Sequence, residues 1–477
     1  MSYLTKDTVK EVNPVYKKHI ERWRYFWASF NGGFDYRNSS LEMLRRYMNE
    51  DSQPGQQYEQ RLNYTALENS CKMIVDTYRA FLFRSLPVRA LGNLNKLPYT
   101  EDWLNSIDLD GTDIDQFMKE ANSLAMIYGH IWVLVDKPQS DTAVTLEQEI
   151  QQGIRPYAQL ITPENVMDWE YTRVNGRYVL NYLKQKEHED KEILIVKVWT
   201  NESICRYQYT KKDENLTLLE ELPNTIGEIP FAMLKANPSH TPGLGLSDIA
   251  DVAKIQQAIF NLMSEAEQSI RVSGHPSLVK TSDTDASAGA GAIITVDSNL
   301  PGELKPYLLQ PSSANIDSII KVLKEHQEMI LKMVHLQGVT AHNTVAKSGI
   351  ALQTEFSMLN TRLGDKADSL ERLEHKIWNL FQVWTGVQAD DEFLVEYKKK
   401  FDLRDENNDL ANYKTVREMG LPSETLNKEL DKQIARIVVK DGDVLDEIVD
   451  EINNAETVQR DLDVERPAEP DVPGITE

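Results

Sequence analysis

Cysteine is scarce in this chain of 477 residues, and a long apolar run is missing. The two cysteines, Cys71 and Cys205, form no CxxC pair, and each lies in an apolar pattern. We therefore predict two buried thiols in a reducing compartment. No window approaches the ~20 consecutive apolar residues that span a bilayer, and the N-terminus has no apolar signal core. We expect a soluble protein that is made in a cytoplasm and has no membrane partner.

Basic residues are also in deficit, because 52 Lys and Arg stand against 75 Asp and Glu, for a formal charge of −23. A protein that binds DNA phosphates over its whole surface carries a net positive charge, so tight wrapping of nucleic acid around this chain is excluded.

The C-terminal residues are the most acidic part of the chain. Residues 441–477 hold thirteen acidic residues against Arg460 and Arg466, and their last part is predicted to be disordered. Eight Trp, nineteen Tyr and twelve Phe give the rest of the chain ample core material.

The common motifs of catalysis are absent. The chain has no GxxxxGK[ST] loop, which excludes an ordinary packaging ATPase, and it has neither an HExxH nor a GxSxG motif. His335 and His342 are the closest pair of histidines, but a predicted helix break separates them. We therefore predict no enzyme activity, no metal and no cofactor. A carboxylate-dependent metal hydrolase or nuclease in residues 113–240 is the alternative from a different class.

One group of aspartates, Asp108, Asp110, Asp113 and Asp115, has a spacing similar to that of a calcium-binding loop. The sequence places Asp113 where such a loop needs glycine, and it lacks the glutamate at the twelfth position. We therefore predict an ordinary loop, in which Thr112 or Asp113 caps the helix that follows.

Hydrophobic periodicity predicts an α+β fold that is mainly helical. Helices are predicted over 14–30 and 62–83, and a further helix that begins near residue 113 ends at Gly129. Alternating apolar and polar residues predict an antiparallel sheet with one wet face, with strands at 130–136, 156–161, 177–185, 191–200 and 203–210.

Three long helices dominate the second half of the chain. They are predicted over 246–272, 313–337 and 348–386, and a compact insert with short strands separates the first two. The third helix has heptad spacing, with Lys366 as the one break at a core position. We favour a long helix buried against a larger assembly over a free coiled coil. The remaining elements are a strand at 392–401 and short helices at 405–419 and 423–439.

Four stretches are informative through their order: ANSLAMIYGHIWVLVD, GEIPFAMLKANPSHTPGLGLSDIADVAKIQQAIFNLMSE, GVTAHNTVAKSGIALQTEFSML and LRDENNDLANYKTVREMGLPSETL. In the second stretch, Ser247 and Asp248 make a good helix N-cap. Together the four stretches resemble the portal, or head-to-tail connector, proteins of tailed bacteriophages, and the resemblance covers about residues 60–440.

The resemblance divides the chain into the parts of a portal subunit. These are N-terminal helices and an α+β wing at 1–245, a first stem helix at 246–274, a clip at 275–312, a second stem helix at 313–338, a tunnel loop at 339–347, a long wing helix and returning strand at 348–404, crown helices at 405–455 and an acidic disordered tail at 456–477. The implied DNA-channel residues of the tunnel loop are Val339, Thr340, Ala341, His342, Asn343, Thr344, Val345, Ala346 and Lys347. The implied clip contacts with the adaptor and terminase are His275, Ser277, Lys280, Lys305 and Tyr307.

The same resemblance implies a ring, typically of twelve subunits, at one capsid vertex of the virion. Such a ring is a conduit for packaging and ejection of double-stranded DNA. It docks the terminase large subunit and the tail adaptor, with capsid and scaffold proteins as further partners that the basic region 1–46 would face. The acidic charge suits this role because it repels phosphates and lets DNA slide, while His342 and Lys347 make brief contacts. Another oligomeric virion head protein is the alternative within this class.

Overall fold

The computed structural model describes residues 4–48, 50, 56–138, 145–274, 277–279, 301–302, 307–309, 314–336, 349–401, 413–417, 423–439 and 442–454. About half of the described residues are helical, and the paired strands are antiparallel, as the predicted α+β class requires. The chain divides into two compact units, Met1–Phe401 and Asp402–Glu477. In the described part, no helix combines the length and apolarity needed to cross a bilayer.

The first unit contains most of the secondary structure. Its helices are α1 (Pro14–Asn31), α2 (Gly33–Arg37), α3 (Gln56–Tyr64), α4 (Ser70–Leu82), α5 (Thr100–Asn105), α6 (Ile114–Tyr128), α7 (Leu146–Gln151), α8 (Ala250–Gly274), α9 (Ala314–Met333) and α10 (Gly349–Thr385). Its strands are β1 (Val88–Ala90), β2 (His130–Asp136), β3 (Tyr157–Ile161), β4 (Val166–Val174), β5 (Arg177–Glu189), β6 (Ile193–Thr200), β7 (Ser203–Thr210), β8 (Asn215–Pro223), β9 (Phe231–Lys235), β10 (Ser277–Val279), β11 (Tyr307–Leu309) and β12 (Leu394–Glu396).

The N-terminal helices follow the prediction except at one break. The helix predicted over 14–30 is confirmed as α1, whereas the single helix predicted over 62–83 is wrong, because α3 and α4 are separate. The side chain of Asn69 causes the new start, since its Oδ1 accepts from the Lys72 N–H and caps α4. Its Nδ2 also donates to the Phe30 carbonyl of α1 at 2.8 Å. Cys71 is fully buried in α4, as predicted.

The predicted single sheet is in fact two antiparallel sheets. One has the strand order β3-β2-β9 and the other has the order β4-β5-β6-β7-β8. The five predicted strands are confirmed, but β4, β8 and β9 were not predicted. In β8 almost every residue is exposed, so the apolar alternation on which the prediction depends does not occur there.

The N-terminal segment covers part of the five-stranded sheet. Leu4 and Val9 join a small apolar cluster with Met167, Leu194, Val196, Val198, Cys205, Tyr207 and Tyr209. The ammonium of Lys184, in β5, is buried beneath the segment and donates to the carbonyls of Thr8 and Glu11. The burial predicted for Cys205 is confirmed.

Helix α10 crosses the main core. Its predicted heptad positions are buried at Leu359, Leu363, Leu370, Leu373, Ile377 and Leu380. They pack within the first unit itself, among helices and the β3-β2-β9 sheet. The free coiled coil is therefore excluded, and a larger assembly is not needed to cover this face.

The returning strand is β12, which pairs with β1 and places Arg89 opposite Val395. The Arg89 guanidinium donates to the buried carboxylate of Glu374 in α10 through Nε at 2.5 Å and Nη2 at 3.1 Å. Its Nη1 donates to Asp115 of α6 at 2.7 Å. Since Tyr397 also donates to Glu374, this network joins β1, α6 and the segment after β12 to α10.

The second unit contains α11 (Glu424–Val438) and α12 (Gly442–Asn454). The helix predicted over 423–439 is confirmed, and Ser423 caps it by accepting from the Leu426 N–H. Lys428 donates to the Asn453 carbonyl at 3.2 Å, which ties the two helices together. Of the helix predicted over 405–419, residues 413–417 are described and helical, while the predicted tail 456–477 lies outside the described residues.

A close contact between two glycines fixes the end of α6. The helix ends at Gly129, as predicted, with φ of +95°. A Cβ atom at Gly129 would lie 2.5 Å from the Gly245 carbonyl oxygen, and one at Gly245 would lie 2.1 Å from the Gly129 oxygen. Only glycine permits both the left-handed conformation and this backbone approach. The first two stretches of the portal resemblance therefore touch at this point.

We predict that Gly129→Ala destabilises the protein more than Gly111→Ala. Gly111 has φ of +96° but no atom near its Cβ position, so its substitution should cost only the left-handed strain of about 1–2 kcal/mol. Gly129→Ala adds a backbone clash, for which we expect a further ~1–3 kcal/mol. Urea unfolding of both variants measures the difference. Equal losses of unfolding free energy would contradict the importance of the contact.

His130 begins β2 in an apolar site beside this glycine contact. Its ring packs edge-on against Trp23 at 5.7 Å and Trp132 at 6.3 Å between centroids, and its Nδ1 accepts from the Gly245 N–H. Complete burial, with smaller contributions from the charges of Lys235 and His19, lowers the pKa of His130 to about 3. The folded protein therefore keeps this imidazole neutral in mildly acidic solution.

Unfolding should consequently take up a proton at His130 in mildly acidic solution. The unfolded imidazole is protonated below pH ~6.5, whereas the folded one is protonated only near pH 3. As the pH is lowered from ~6.5 towards 3, His130 should reduce the free energy of unfolding by up to about 1.4 kcal/mol per pH unit. His130→Gln should reduce the slope, and His240→Gln, at an exposed site, should not. An unchanged slope in the His130 variant would refute this assignment.

Candidate functional site: the central helix pair and its junction

Two long helices at the centre of the sequence form the candidate functional region. Helix α8 is about 37 Å long and α9 about 30 Å at 1.5 Å per residue, and the two pack against each other. Val252, Ile259 and Phe260 of α8 are buried, as are Leu323 and Ile330 of α9, and the Phe260 ring packs edge-on against Tyr36 of α2. Their 3.6-residue period gives each helix one buried side within the first unit.

The outward sides of these helices also carry apolar side chains. The exposed fraction is 55% for Ile270, 41% for Ile320 and 47% for Met329, with Val322 at 37%. Scattered exposed apolar residues are ordinary on a folded protein, and these four are apolar side chains of the helix pair that another chain could cover.

The strand pair β10–β11 lies between the two helices in the sequence. It brings two predicted clip residues into one antiparallel pair, in which Ser277 is opposite Leu309 and Tyr307 is opposite Val279. Tyr307 is 53% exposed. The other predicted clip residues, His275, Lys280 and Lys305, lie outside the described residues.

The predicted tunnel loop, Val339 to Lys347, also lies outside the described residues. The structure shows how the chain is held before it. Tyr78 of α4 donates to the Val334 carbonyl at 2.7 Å, and Leu336 is buried. His335 has a φ of +56°, so the backbone turns away from the α9 axis immediately after the helix. After the loop, the chain resumes as α10 at Gly349.

A buried ionic cluster, here named the Asp248 junction, joins α8 to α10. It consists of Asp248, Asn237, Arg362 and Lys366. The Asp248 carboxylate is 1% exposed and accepts from the Lys366 ammonium, from Arg362 Nη2 at 3.0 Å and from Asn237 Nδ2 at 3.0 Å. Its own backbone N–H donates to the Met126 carbonyl of α6 at 3.0 Å. One residue just before α8 therefore connects α6, the segment after β9 and α10.

The junction corrects two sequence interpretations. Asp248 is not a simple helix cap, because its carboxylate pairs with cations, while the Ser247 hydroxyl accepts from the Ile249 N–H and donates to Met126 O. Lys366 is not a break in the heptad, because it is 5% exposed and bonded to Asp248 and the Ala236 carbonyl. A lysine at a core position needs a buried anion as its partner. This requirement was the one feature of the sequence from which an ion pair at Lys366 could have been predicted.

The acidic loop before α6 has the structure predicted for it. Asp113 caps α6 by accepting from the Gln116 N–H at 2.8 Å, and Asp108 accepts from the backbone N–H groups of Asp110 and Thr112. Across the described ranges, no three His, Cys, Asp or Glu side chains come together as metal ligands.

We predict strong energetic coupling within the Asp248 junction. Lys366→Met leaves the buried carboxylate with one cation fewer and should cost about 3 kcal/mol of unfolding free energy. In a double-mutant cycle with Asp248→Asn, the coupling should exceed ~1 kcal/mol. The exposed pair Glu228–Lys376, whose side chains are 42% and 41% exposed, is the control and should couple by less than ~1 kcal/mol. Additive losses at Asp248 and Lys366 would refute the coupling.

Comparison with known proteins provides a family for this architecture. No curated protein sequence matches the chain. The neck of an empty GTA particle computed with C6 symmetry matches with a TM-score of 0.41 and 10% identity, over 76% of this chain and 88% of that chain. The neck of a native GTA particle computed with C12 symmetry matches with a TM-score of 0.38 and 10% identity, over 76% and 89%.

The family model is the decisive comparison. The model described as "Phage portal protein, SPP1 Gp6-like" matches residues 31–426, which is well over half of the sequence. The matched range includes the paired helices α8 and α9, the β10–β11 strand pair and the complete Asp248 junction. The chain therefore belongs to the phage portal protein family, SPP1 Gp6-like.

Proposed function

We propose that copies of this chain form a ring of twelve subunits at one capsid vertex and that double-stranded DNA passes through it during packaging and ejection. The observation that carries the proposal is the family match over residues 31–426. Membership makes the protein a structural component of the virion, of the head-to-tail connector type. Beyond family membership, the proposal states that the subunits form a ring, that DNA passes through it and that other proteins dock on it.

The proposed parts of the subunit are those of the portal resemblance, and some of them coincide with described elements. Helices α8 and α9 form the stem, residues 275–312 the clip and residues 339–347 the tunnel loop. Residues 1–245 and 348–404 form the wing, and residues 405–455 the crown. The continuity of α8, the β10–β11 pair and α9 in the sequence supports this order.

Ring formation would cover apolar surface that a single chain leaves exposed. Ile270, Ile320 and Met329 lie on the outward sides of the stem helices with 41% to 55% of their surface exposed. Burying such side chains against a neighbouring subunit is favourable at roughly 25 cal/mol per Å² of apolar surface. Rings arise where two different surfaces of one chain meet with a closing rotation.

The net charge of −23 is consistent with the passage of DNA. An acidic wall repels phosphates and releases few counterions on contact, so the DNA can move without tight binding. His342 and Lys347 of the tunnel loop are the proposed sites of brief contact. No chemical step on the DNA is required of the protein.

The proposed partners meet different parts of the subunit. The clip, represented in the described part by Ser277 and the exposed Tyr307, would contact the terminase large subunit during packaging and the tail adaptor afterwards. Lys280, Lys305 and His275 would complete that contact. The basic region 1–46 would face scaffold or capsid, although residues Leu4 and Val9 within it already pack on the chain's own sheet.

Replacement of residues 340–346 by a Gly-Ser linker of equal length tests the conduit role. We expect rings to form normally but DNA packaging and retention to fall, because the side chains that contact the DNA are lost. The control replaces residues 212–214, in the exposed turn between β7 and β8, by three Gly and Ser residues. This variant should package DNA normally. Packaging assays and DNA content of the particles give the result. Normal packaging and retention by the loop variant would contradict the tunnel-loop assignment.

A further inference from the structure

A cleft of about 620 Å³ lies between residues 232–238 and one side of α10. This β9–α10 cleft is lined by more cations than carboxylates, in a chain whose net charge is −23. Its cations are Lys235, Arg362, Lys366, Arg372 and Lys376, and its carboxylates are Asp365 and Asp368. The cleft is thus a local exception to the acidic character of the protein.

Some of these charges are compensated within the chain and others are not. Arg362 and Lys366 belong to the Asp248 junction, Asp368 pairs with Lys399 at 2.7 Å, and Lys376 pairs with Glu228 at 3.1 Å. In the described ranges, Lys235 has no ion pair, and the Arg372 guanidinium donates only to the Ser369 hydroxyl. Burial lowers the pKa of Lys235, as expected for a cation partly withdrawn from water without an anion.

The same cleft contains an unpaired strand edge. Strand β9 ends the β3-β2-β9 sheet. The Val135 N–H donates to Pro230 O and the Ala236 N–H to Gly129 O, each at 2.9 Å. These bonds show which β9 residues are hydrogen-bonded to β2. The backbone N–H and C=O groups of residues 230, 232, 234 and 236 point toward β2, and those of Met233 and Lys235 point away from it. An added strand would find these groups available beside the two unpaired cations.

A complementary edge occurs on the same chain. Strand β8 ends the five-stranded sheet and exposes four consecutive side chains, Leu218, Leu219, Glu220 and Glu221. The two leucines are 44% and 45% exposed, and the described part of the chain offers the two glutamates no ion pair. Folded proteins normally cover or charge such an edge to prevent unwanted pairing. Here the edge combines acidic and apolar side chains, which match the basic and apolar lining of the cleft.

We propose that strand β8 of a second copy docks in the β9–α10 cleft, with Glu220 and Glu221 beside Lys235 and Arg372. The contact joins two different surfaces of the chain, so it can repeat from subunit to subunit and form a ring when the rotation between neighbours closes. The inference rests on the proposed ring and names a contact that would hold it. A nucleic acid is the rival occupant, but it would use neither the strand edge nor the exposed leucines.

Charge reversal on both sides tests the contact in the full-length chain. The variants are Lys235→Glu with Arg372→Glu, Glu220→Lys with Glu221→Lys, and all four changes together. Each pair alone should raise the protein concentration needed for assembly about tenfold or more, because like charges then face each other. The four changes together should restore assembly. The control, Lys96→Glu with Arg177→Glu, reverses the same residue types at exposed positions elsewhere and should have no effect.

Native mass and thermal melting of every variant separate assembly from folding. Unaffected assembly in the paired reversals, or no recovery in the combination, would overturn the contact while leaving the wild-type ring intact. A wild-type chain that forms no ring would overturn both this contact and the proposed function. Loss of binding to a single-stranded DNA oligonucleotide, with assembly unchanged, would assign the cleft to nucleic acid and refute the proposal.

Cross-linking provides a second measurement that does not depend on charge. Lys235→Cys with Glu221→Cys places thiols on both strands, and the native Cys71 and Cys205 are buried, so they contribute little background. A short bis-maleimide should join subunits of the assembled protein into covalent dimers and larger species on a denaturing gel. Assembled protein that yields only monomers would overturn the proposal.

Discussion

The buried carboxylate of Asp248 holds together segments that are far apart in the sequence. It pairs with Lys366 and Arg362 of α10, accepts from Asn237 after β9, and is anchored to the end of α6 through its backbone. An uncompensated charge at this depth would cost several kcal/mol. The start of α8 is therefore held to both α6 and α10 at one buried site.

The glycine contact and the junction act on the same short connection. Gly129 and Gly245 allow the two backbones to meet, and three residues later Asp248 fixes the connection to α10. This arrangement fixes the end of α6 and the start of β2 against the segment that leads into α8. The surfaces that it leaves uncovered, on the outer sides of α8 and α9 and along the edges of β8 and β9, are those that a neighbouring subunit could use.

The sequence predicted the elements whose local pattern is strong. The apolar stripe of α1, the glycine that ends α6 and the alternation in β5 to β7 each depend on neighbouring residues. Features that depend on distant partners were missed. Lys366 looked like a defect because its partner Asp248 is 118 residues away, the cap at Asn69 divided a continuous apolar stripe, and the exposed strand β8 has no alternation to detect. The tunnel loop and all the clip residues stay predictions.

The central claim is that this acidic chain assembles as a ring around a channel. Its most direct test is the native mass of the purified protein, with negative-stain images of the same fraction. The account predicts rings with a central hole and a mass close to that of about twelve copies of the 54.6 kDa chain. A monomer or dimer that forms no ring even with scaffold protein or under crowding would contradict it.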